Sequence, residues 1–350
     1  MLTGEELRAE LAARVADRPA ALAVEIDGLR EHAWVNVAAG SASDAAAEPG
    51  FLVYSLTKTW LAALVLRLAG EGQLGLDDAL ARWCPGVPRA AEFTLRQLLS
   101  HTAGVPDYGA LAEYHAAVRA TPSRPWSLEE FVERTVARGL RFEPGAGFAY
   151  SNPGYMLLRR VCELASGEPW SEALASRVLR PLGLRRTFAA ESLDDLRALA
   201  PGRSTLLSSA GEAVDVRGVY HPGWVSHGVL ASTASEAARF LHALCGGELP
   251  PGAAVREMTR PVPVLDVPRR TRHERFRNPG YGLGLMVFGG AGGPLRWGHN
   301  GGGPGYSASA FHAPDLGGRP VTVACLCGAE DEGLAEGVVL RVLDLVAAPR

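Results

Sequence analysis

One segment pairs a serine with a lysine at a spacing that suits nucleophilic catalysis. Ser55 and Lys58 stand at the head of a run with apolar residues at 60, 61, 64, 65 and 68. This spacing predicts a helix that is buried almost all round. Because residues three apart share one helical face, the lysine amine can reach the serine hydroxyl. Burial and the helix N-terminus both favour a neutral amine, which can take the proton of a serine nucleophile.

The composition singles out the lysine. Lys58 is the only lysine, so the other 34 of the 35 basic residues are arginines. Arginine cannot lose its proton in a protein, whereas a buried lysine shifts its pKa readily. The alternative interpretation is that Ser55 serves only as a helix N-cap. A capping box places Glu or Gln three residues after the cap, and the helix dipole disfavours a cation there, so a cap alone does not explain Lys58.

A second group of candidate residues lies in the segment 148–155. Tyr150 and Asn152 follow a Pro/Gly loop and precede a predicted helix over 156–165. In a catalytic interpretation, the Tyr150 phenol exchanges protons with the serine and the leaving group, and the Asn152 amide holds the substrate carbonyl. The alternative is a turn, since Asn-Pro-Gly is a turn signal and Asn152 is a possible cap. The sequence leaves both interpretations open.

A third group is a glycine-rich stretch, 297–306, that runs out of a predicted strand and contains His299, Gly301 and Gly302. Glycines allow a substrate backbone to approach a strand edge and leave main-chain N–H groups to hold an oxyanion. A phosphate-binding loop would need a following helix N-terminus, and the next run is strand-like. A plain glycine-rich turn is the alternative.

In order along the chain, Ser55-x-x-Lys58, Tyr150-x-Asn152 and His299-x-Gly301 resemble the motifs of the serine β-lactamase-related family. That family groups class C β-lactamases, D-alanyl-D-alanine carboxypeptidases, D-amino-acid peptidases and amidases, and family VIII esterases. The resemblance covers about residues 15 to 345. It includes three further segments, which are Leu98–Gly104, Pro181–Leu184 and Leu230–Phe240.

The resemblance implies a role for each motif residue. It implies that Ser55 is the nucleophile and that Lys58 and Tyr150 are the proton-handling pair. It further implies that Asn152 orients the substrate, and that the N–H groups of Ser55 and Gly302 form the oxyanion hole.

Three histidines lie in or beside these segments. His299, predicted with Gly301 to bind substrate, stands where classical β-lactamases have a lysine that recognises a carboxylate. A histidine is largely neutral near pH 7, with an ordinary pKa of about 6.5, so the resemblance favours esterase or D-amino-acid peptidase members over β-lactamases. His101 matches a family motif and is interpreted as structural. His227 replaces the small residues usual in the family, and it either projects into the cleft or packs.

The surrounding elements predict an α/β (α+β) fold. Its antiparallel sheet comes from both ends of the chain, terminal helices flank the sheet, and a mostly helical part is inserted, as in β-lactamases and transpeptidases. The expected lobes are 1–90 with 275–350 for the sheet and 91–274 for the helices, with the active site in the cleft between them. The elements behind this prediction are helices at 4–16 and 333–346, a hairpin from 21–26 and 32–37, and strands at 281–288, 295–299, 307–312 and 321–327.

Composition argues against several partners. The net charge is −3 with no basic stripe, so no nucleic-acid partner is expected. No apolar segment is long enough to span a membrane and no secretory signal is visible, so a cytoplasmic protein is expected. Cys325 and Cys327 face one side of a strand and are assigned to core packing over a zinc site. The arginine-rich run 269–277 is expected to be a solvated loop, with an anion-binding role as the alternative.

The predicted function is a serine hydrolase that acts through an acyl-enzyme on a small ester or amide, and no metal or cofactor is implied. Related alternatives are a D-amino-acid peptidase or amidase, a D-alanyl-D-alanine carboxypeptidase-like enzyme, and an acyltransferase or peptide cyclase. A non-catalytic binding protein with the same fold is the alternative from another class. The oligomeric state is left open.

Overall fold

The computed structural model describes residues 2–36, 48–249, 252–263, 279–290 and 293–348. The helices are α1 Gly4–Val15, α2 Thr57–Gly70, α3 Leu95–Leu99, α4 Ala112–Ala120, α5 Leu128–Arg134, α6 Asn152–Ser166, α7 Trp170–Leu174, α8 Ala234–Cys245, α9 Gly252–Met258 and α10 Glu332–Ala347. The strands are β1 Ala20–Ile26, β2 Leu29–Val35, β3 Phe51–Leu52, β4 Phe188–Ala190, β5 Arg203–Ser204, β6 Val214–Asp215, β7 Val229–Ser232, β8 Val262–Pro263, β9 Gly280–Tyr281, β10 Met286–Gly290, β11 Gly293–Gly303, β12 Tyr306–Ala313 and β13 Val321–Cys327.

The main sheet joins the two ends of the chain, as predicted. Within the described residues its strand order is β2-β1-β13-β12-β11-β10-β9-β8, and every neighbouring pair is antiparallel. The hairpin of β1 and β2 turns at Asp27 and Gly28, which both have positive φ (49° and 78°). This is the Asp-Gly pattern that matches the twist of a two-residue hairpin.

The predicted single strand over 281–288 is wrong in one respect, because the structure divides it into β9 and β10. The chain folds back between them so that Met286 pairs with Tyr281. The turn depends on Gly284, whose φ is +76° and whose added Cβ would lie 2.4 Å from the Cβ of Ala62 in α2. Close packing on α2 therefore overrides the apolar alternation that suggested a continuous strand.

Two apolar cores lie on opposite faces of the sheet. The core on one face is formed by α1 and α10 against β1 and β13, and it includes the buried thiols of Cys325 and Cys327, whose sulfurs are 3.7 Å apart. The other core contains α2, α6 and α8. The free, buried thiols agree with a packing role for these cysteines.

Helix α2 is the centre of the second core, and its burial fixes the site described below. Every residue from Thr57 to Leu66 is buried, and the Trp60 ring stacks on Phe240 at 4.2 Å between centroids. A fully buried leucine of this helix, such as Leu61 or Leu64, stabilises the fold by about 1.5–3 kcal/mol. The Thr57 hydroxyl accepts a hydrogen bond from the Leu230 N–H (3.0 Å), and the Thr59 hydroxyl donates to the Gly284 carbonyl (2.8 Å), so the first turn is held from two sides.

Three predictions concern the remainder of the chain. No helix among the described residues combines the length and apolar character needed to cross a bilayer. The arginine-rich run 269–277 and the predicted lobe boundary at 274/275 lie outside the described residues. The division into two lobes stays a prediction.

Candidate active site

Ser55 lies in a 3₁₀ turn, Tyr54–Leu56, that leads directly into α2. The residue before it, Tyr54, has φ of +44°, a conformation that is costly for a bulky side chain and that occurs where surrounding structure enforces it. Two contacts hold it, since the Tyr54 hydroxyl donates to the Pro304 carbonyl (2.5 Å) and its ring lies against Gly303. Leu56 is the N-cap residue of α2, without a side-chain cap, so Ser55 is not the helix cap.

The glycine-rich stretch belongs to strand β11 through Gly303 and is not a turn there. It packs against the 3₁₀ turn that contains Ser55, called the serine turn below. A Cβ added to Gly301 would lie 2.1 Å from the Val53 carbonyl oxygen and 3.1 Å from the Ser55 nitrogen. In the described pairing with β10, the last partner on β11 is Gly298. The strand edge beyond Gly298 therefore faces the serine turn, and only glycine at position 301 allows this approach.

We expect Gly301→Ala to impair acylation of Ser55, because strand and turn must separate to admit the methyl group. A displacement of about 1 Å at a reacting group costs roughly 10²-fold in rate. Gly337→Ala is the matched control, since Gly337 is exposed on α10 and an added Cβ meets nothing within 4 Å. The measurement is the labelling rate by a fluorophosphonate, with thermal melts of both variants. An alanine at 301 that labels at the wild-type rate contradicts the packing argument.

Lys58 is completely buried, and its amine lies at the meeting point of three polar side chains. The Nζ atom is 3.0 Å from the Ser55 hydroxyl and 2.7 Å from the Oδ1 atom of Asn152. It is also 3.3 Å from Nε2 and 3.5 Å from Nδ1 of His227. The structure thus brings together the serine, lysine and asparagine that were predicted from motifs far apart in the chain.

Burial lowers the pKa of Lys58 well below its ordinary value, because the desolvated ammonium is disfavoured. The negative charge of Asp107 opposes this effect and raises the pKa in part. A fraction of neutral amine near pH 7 is what a lysine needs in order to accept the proton of a serine hydroxyl.

Asn152 is the first residue of α6, four positions earlier than the predicted helix start. The cap is the preceding Ser151, whose hydroxyl accepts from the Gly154 N–H at 3.0 Å. Asp107 accepts from the Asn152 backbone N–H (2.9 Å) and fixes the start of the helix. The side-chain Oδ1 of Asn152 accepts from Lys58, while its Nδ2 makes no hydrogen bond within the described part of the chain. The amide of Asn152 can therefore donate to a substrate carbonyl.

Tyr150 is held beside Lys58 by His101. The Lys58 amine is 4.9 Å from the centroid of the Tyr150 ring, and the His101 ring packs on the same tyrosine at 4.4 Å between centroids. The His101 carbonyl accepts from the Ala149 N–H (2.9 Å), and its Nδ1 accepts from the Ser151 N–H (3.2 Å). His101 thus clamps the backbone on both sides of Tyr150, which agrees with the structural role predicted for it.

His299 is fully buried, and both of its ring nitrogens have partners. Nδ1 donates to the Asn300 carbonyl, so Nε2 is the acceptor for the Tyr281 hydroxyl at 2.9 Å. Burial and the nearby charge of Lys58 lower the pKa of His299 to about 3. The ring is therefore neutral at physiological pH. The predicted substrate-binding role of His299 stays a prediction. Because the ring is neutral, His299 would affect the substrate through its place in β11, and it would not bind the substrate as a cation.

A cavity of about 260 Å³ opens beside Ser55. Among the described residues that line it there is no Asp, Glu, Lys or Arg, and four are tyrosines. The lining residues are Tyr54, Ser55, Tyr108, Gly109, Tyr114, His115, Val118, Asn152, Leu206, Tyr220, Val225, His227, Gly302, Gly303 and Pro304. Ser55 and Gly302, the predicted oxyanion-hole residues, both face this cavity.

Sequence reasoning missed Asp107 and Tyr281, and it left the placement of His227 undecided. Asp107 follows Val-Pro in a loop that carries only a turn signal, and Tyr281 belongs to the strand run that the structure divides. His227 lines the cavity beside Ser55, and its Nε2 lies 3.3 Å from the Lys58 amine. Its substitution for the small residues expected from the family resemblance was the one available signal.

The chain matches the Beta-lactamase family over residues 7–342. Together with the sheet and the arrangement of Ser55 and Lys58 described above, this match shows that the chain belongs to that family. The predicted family and fold are confirmed.

Several relatives within the family are similar to this chain. It is 27% identical over 313 residues to penicillin-binding protein 4* of Bacillus subtilis, covering 84% of this chain and 64% of that protein. It is 34% identical over 146 residues to esterase EstB of Burkholderia gladioli, covering 39% of this chain and 37% of that protein. The matched part of each is thus less than two thirds of the relative's length. A solved D-stereospecific amidohydrolase from Streptomyces sp. superposes with a TM-score of 0.78 at 29% identity, covering 97% of this chain and 96% of that one.

Proposed function

We propose that this protein is a serine hydrolase that forms an acyl-enzyme on Ser55 with small esters or amides. The observation that carries the proposal is the distance of 3.0 Å between the Lys58 amine and the Ser55 hydroxyl, in surroundings that lower the pKa of the amine. A nucleophile and its base within hydrogen-bond reach are the expected signature of covalent catalysis. The names of the similar proteins, an esterase and an amidohydrolase among them, agree with this class.

The reaction begins when neutral Lys58 takes the hydroxyl proton as the Ser55 oxygen bonds to the substrate carbonyl carbon. The N–H groups of Ser55 and Gly302 stabilise the negative oxygen of the tetrahedral intermediate. The bond to the leaving group then breaks, and Tyr150, next to Lys58, passes the proton to the departing alcohol or amine. Water attacks the acyl-serine and loses a proton to the same pair. The pair returns that proton to the Ser55 oxygen as the bond between this oxygen and the acyl carbon breaks, which releases the carboxylic acid and restores Ser55.

The cavity supports acyl groups that are uncharged and apolar or aromatic. Tyr108, Tyr114, Tyr220 and Val225 line it, and no Asp, Glu, Lys or Arg of the described residues does. A substrate carboxylate would be desolvated there without an arginine or lysine of the lining to pair with, which is costly. The cavity therefore favours simple esters and amides over substrates that carry a carboxylate beside the scissile bond.

A D-amino-acid amidase is the second candidate function. It is favoured by the similarity to the D-stereospecific amidohydrolase, which extends over 97% of this chain. Intact-mass spectrometry after incubation with p-nitrophenyl esters, D-amino-acid amides and nitrocefin separates the candidates, because it shows which acyl group Ser55 accepts. Addition of an amine or alcohol acceptor extends the test to acyl transfer, which would appear as an acylated acceptor in place of the free acid.

We expect turnover of short-chain p-nitrophenyl esters and weak or absent turnover of penicillins and cephalosporins. The physical reason is that His299 is buried and neutral, so β11 presents no lysine-like cation to the carboxylate of a β-lactam. The measurement is kcat/KM for both substrate types. Nitrocefin exceeding the best ester tenfold would contradict this prediction, since it corresponds to about 1.4 kcal/mol of transition-state preference in the opposite direction.

A further inference from the structure

We propose that Asp107 is a positioning residue for acylation, which ties Asn152 and the wall of the cavity to one carboxylate and places a negative charge that acts on the Lys58 amine. This inference rests on the proposed function, since it assigns a role within the same site. Asp107 lies in the loop between α3 and α4 and is not among the described residues that line the cavity. Its effect on the reaction therefore passes through the groups that it holds.

The two oxygens of the Asp107 carboxylate bind different parts of the site. Oδ1 accepts from the Asn152 backbone N–H at 2.9 Å, and Oδ2 accepts from the Gly109 N–H at 3.1 Å. Asn152 is the first residue of α6, whereas Gly109 lines the cavity beside Ser55. One side chain therefore sets the position of the cavity wall relative to the start of the helix.

Two longer hydrogen bonds also hold the start of α6. The Ser151 N–H donates to Nδ1 of His101 at 3.2 Å, and the Ser151 hydroxyl donates to the Pro106 carbonyl at 3.4 Å. The bond from Asn152 to Asp107 is shorter and has a charged acceptor, which strengthens it. It also lies at the first turn of the helix, where a negative charge is stabilising. Asp107 is therefore the strongest of these anchors.

The position of Asn152 bears directly on the catalytic amine. The Oδ1 atom of Asn152 accepts from the Lys58 Nζ atom at 2.7 Å, and the same nitrogen is 3.0 Å from the Ser55 hydroxyl. A shift of the Asn152 backbone would therefore be passed to the amine and would change its approach to Ser55. Asp107 opposes such a shift.

The charge of Asp107 acts on the same amine. The other titratable side chains that contact Lys58 or interact with its charge are Tyr150, Tyr155, His101, His227 and His299. Burial is the main cause that lowers the pKa of the three histidines and raises the pKa of Tyr155, so these four groups are neutral near pH 7. The negative charge of Asp107 raises the pKa of Lys58 against the larger effect of burial. Loss of that charge would lower the pKa of Lys58 further, so the neutral amine would form at lower pH.

The test compares Asp107→Asn, which removes the charge but keeps an oxygen that can accept from the Asn152 N–H, with Asp107→Ala, which removes both. Single-turnover acylation by a p-nitrophenyl ester over a pH series gives the plateau rate, the half-saturating ester concentration and the pH of the rising limb. We expect alanine to lower the plateau rate about 10- to 100-fold, as misplacement of a reacting group does. We expect asparagine to keep most of the plateau rate and to move the rising limb to lower pH.

Asp315→Ala is the matched control. Asp315 lies in the exposed turn between β12 and β13, and its Oδ1 accepts from the Gly318 N–H at 2.9 Å, the same kind of bond that Asp107 makes to Asn152. Its removal should leave the plateau rate and the pH profile unchanged. Thermal melts of all the variants establish folding.

Four results would overturn the inference. They are a folded alanine variant that acylates within about threefold of wild type, a loss in that variant confined to the half-saturating concentration, an asparagine variant as slow as alanine with an unchanged melt, and an asparagine variant whose rising limb does not move to lower pH. If alanine prevents folding, the plateau rate and pH profile of the asparagine variant decide. Failure of the proposed function is distinct, because wild type itself would then not acylate at Ser55.

Discussion

Ser55→Ala is expected to abolish covalent labelling by fluorophosphonates and turnover of p-nitrophenyl esters, while the fold is retained. Ser55 is the hydroxyl that lies 3.0 Å from the buried amine, and no second group in that contact can replace the nucleophile. Loss of a serine nucleophile lowers turnover on the order of 10⁶-fold in serine hydrolases, so residual activity should fall to background. The measurements are intact mass after labelling and initial ester hydrolysis rates.

Ser235→Ala is the matched control for this experiment. Ser235 lies in α8, and its side-chain oxygen is buried without a hydrogen-bond partner within the described residues, so its removal should leave labelling unchanged. Thermal melts of both variants confirm folding. If the folded Ser55→Ala protein still labels at the wild-type rate, Ser55 is not the nucleophile. A wild-type protein that neither labels nor hydrolyses any ester or amide would instead favour the non-catalytic alternative.

The sequence predicted the elements whose signals are local. The Asp-Gly turn in the sequence indicates the β1–β2 hairpin, and the apolar pattern around one lysine indicates that α2 is buried. These features were accessible because each is encoded within a few residues.

The features that escaped prediction depend on contacts between distant segments. The turn that separates β9 from β10 is set by packing of Gly284 on α2, more than two hundred residues earlier in the chain. Asp107 acquires its role only because its loop meets the start of α6. The partnership of His299 with Tyr281 likewise arises from strand pairing, and no spacing within either segment encodes it.

Lys58→Arg is expected to abolish acylation while the protein remains folded. The proposed base must be neutral in part of the resting population, and burial lowers the pKa of Lys58 in the direction that provides this. Arginine keeps a cation and much of the bulk but cannot lose its proton. Because general bases contribute about 10²- to 10⁴-fold, the loss should lie well outside experimental error.

The pH dependence of the wild-type acylation rate reports independently on the protonation of the Lys58 amine. The acylation rate should rise with pH as Lys58 loses its proton and reach a plateau above the pKa of the amine. Because burial lowers that pKa well below its ordinary value of about 10.4, the rising limb should lie at correspondingly lower pH. A limb that stays near the ordinary value would show that the amine is not desolvated in the working enzyme.

The reverse substitution, arginine to lysine at another position of α2, is the control that distinguishes a catalytic role of Lys58 from a packing role. Arg67 lies on α2 with its side chain 34% exposed and 3.8 Å from Glu71, so Arg67→Lys should leave acylation unchanged. A lysine with a purely structural role at position 58 would tolerate arginine better, as the 34 arginines elsewhere suggest this chain can. Single-turnover acylation of both variants, with melts to establish folding, decides between the two roles. A folded Lys58→Arg protein that acylates within about threefold of wild type would remove the catalytic role of Lys58, because an arginine cannot act as the base.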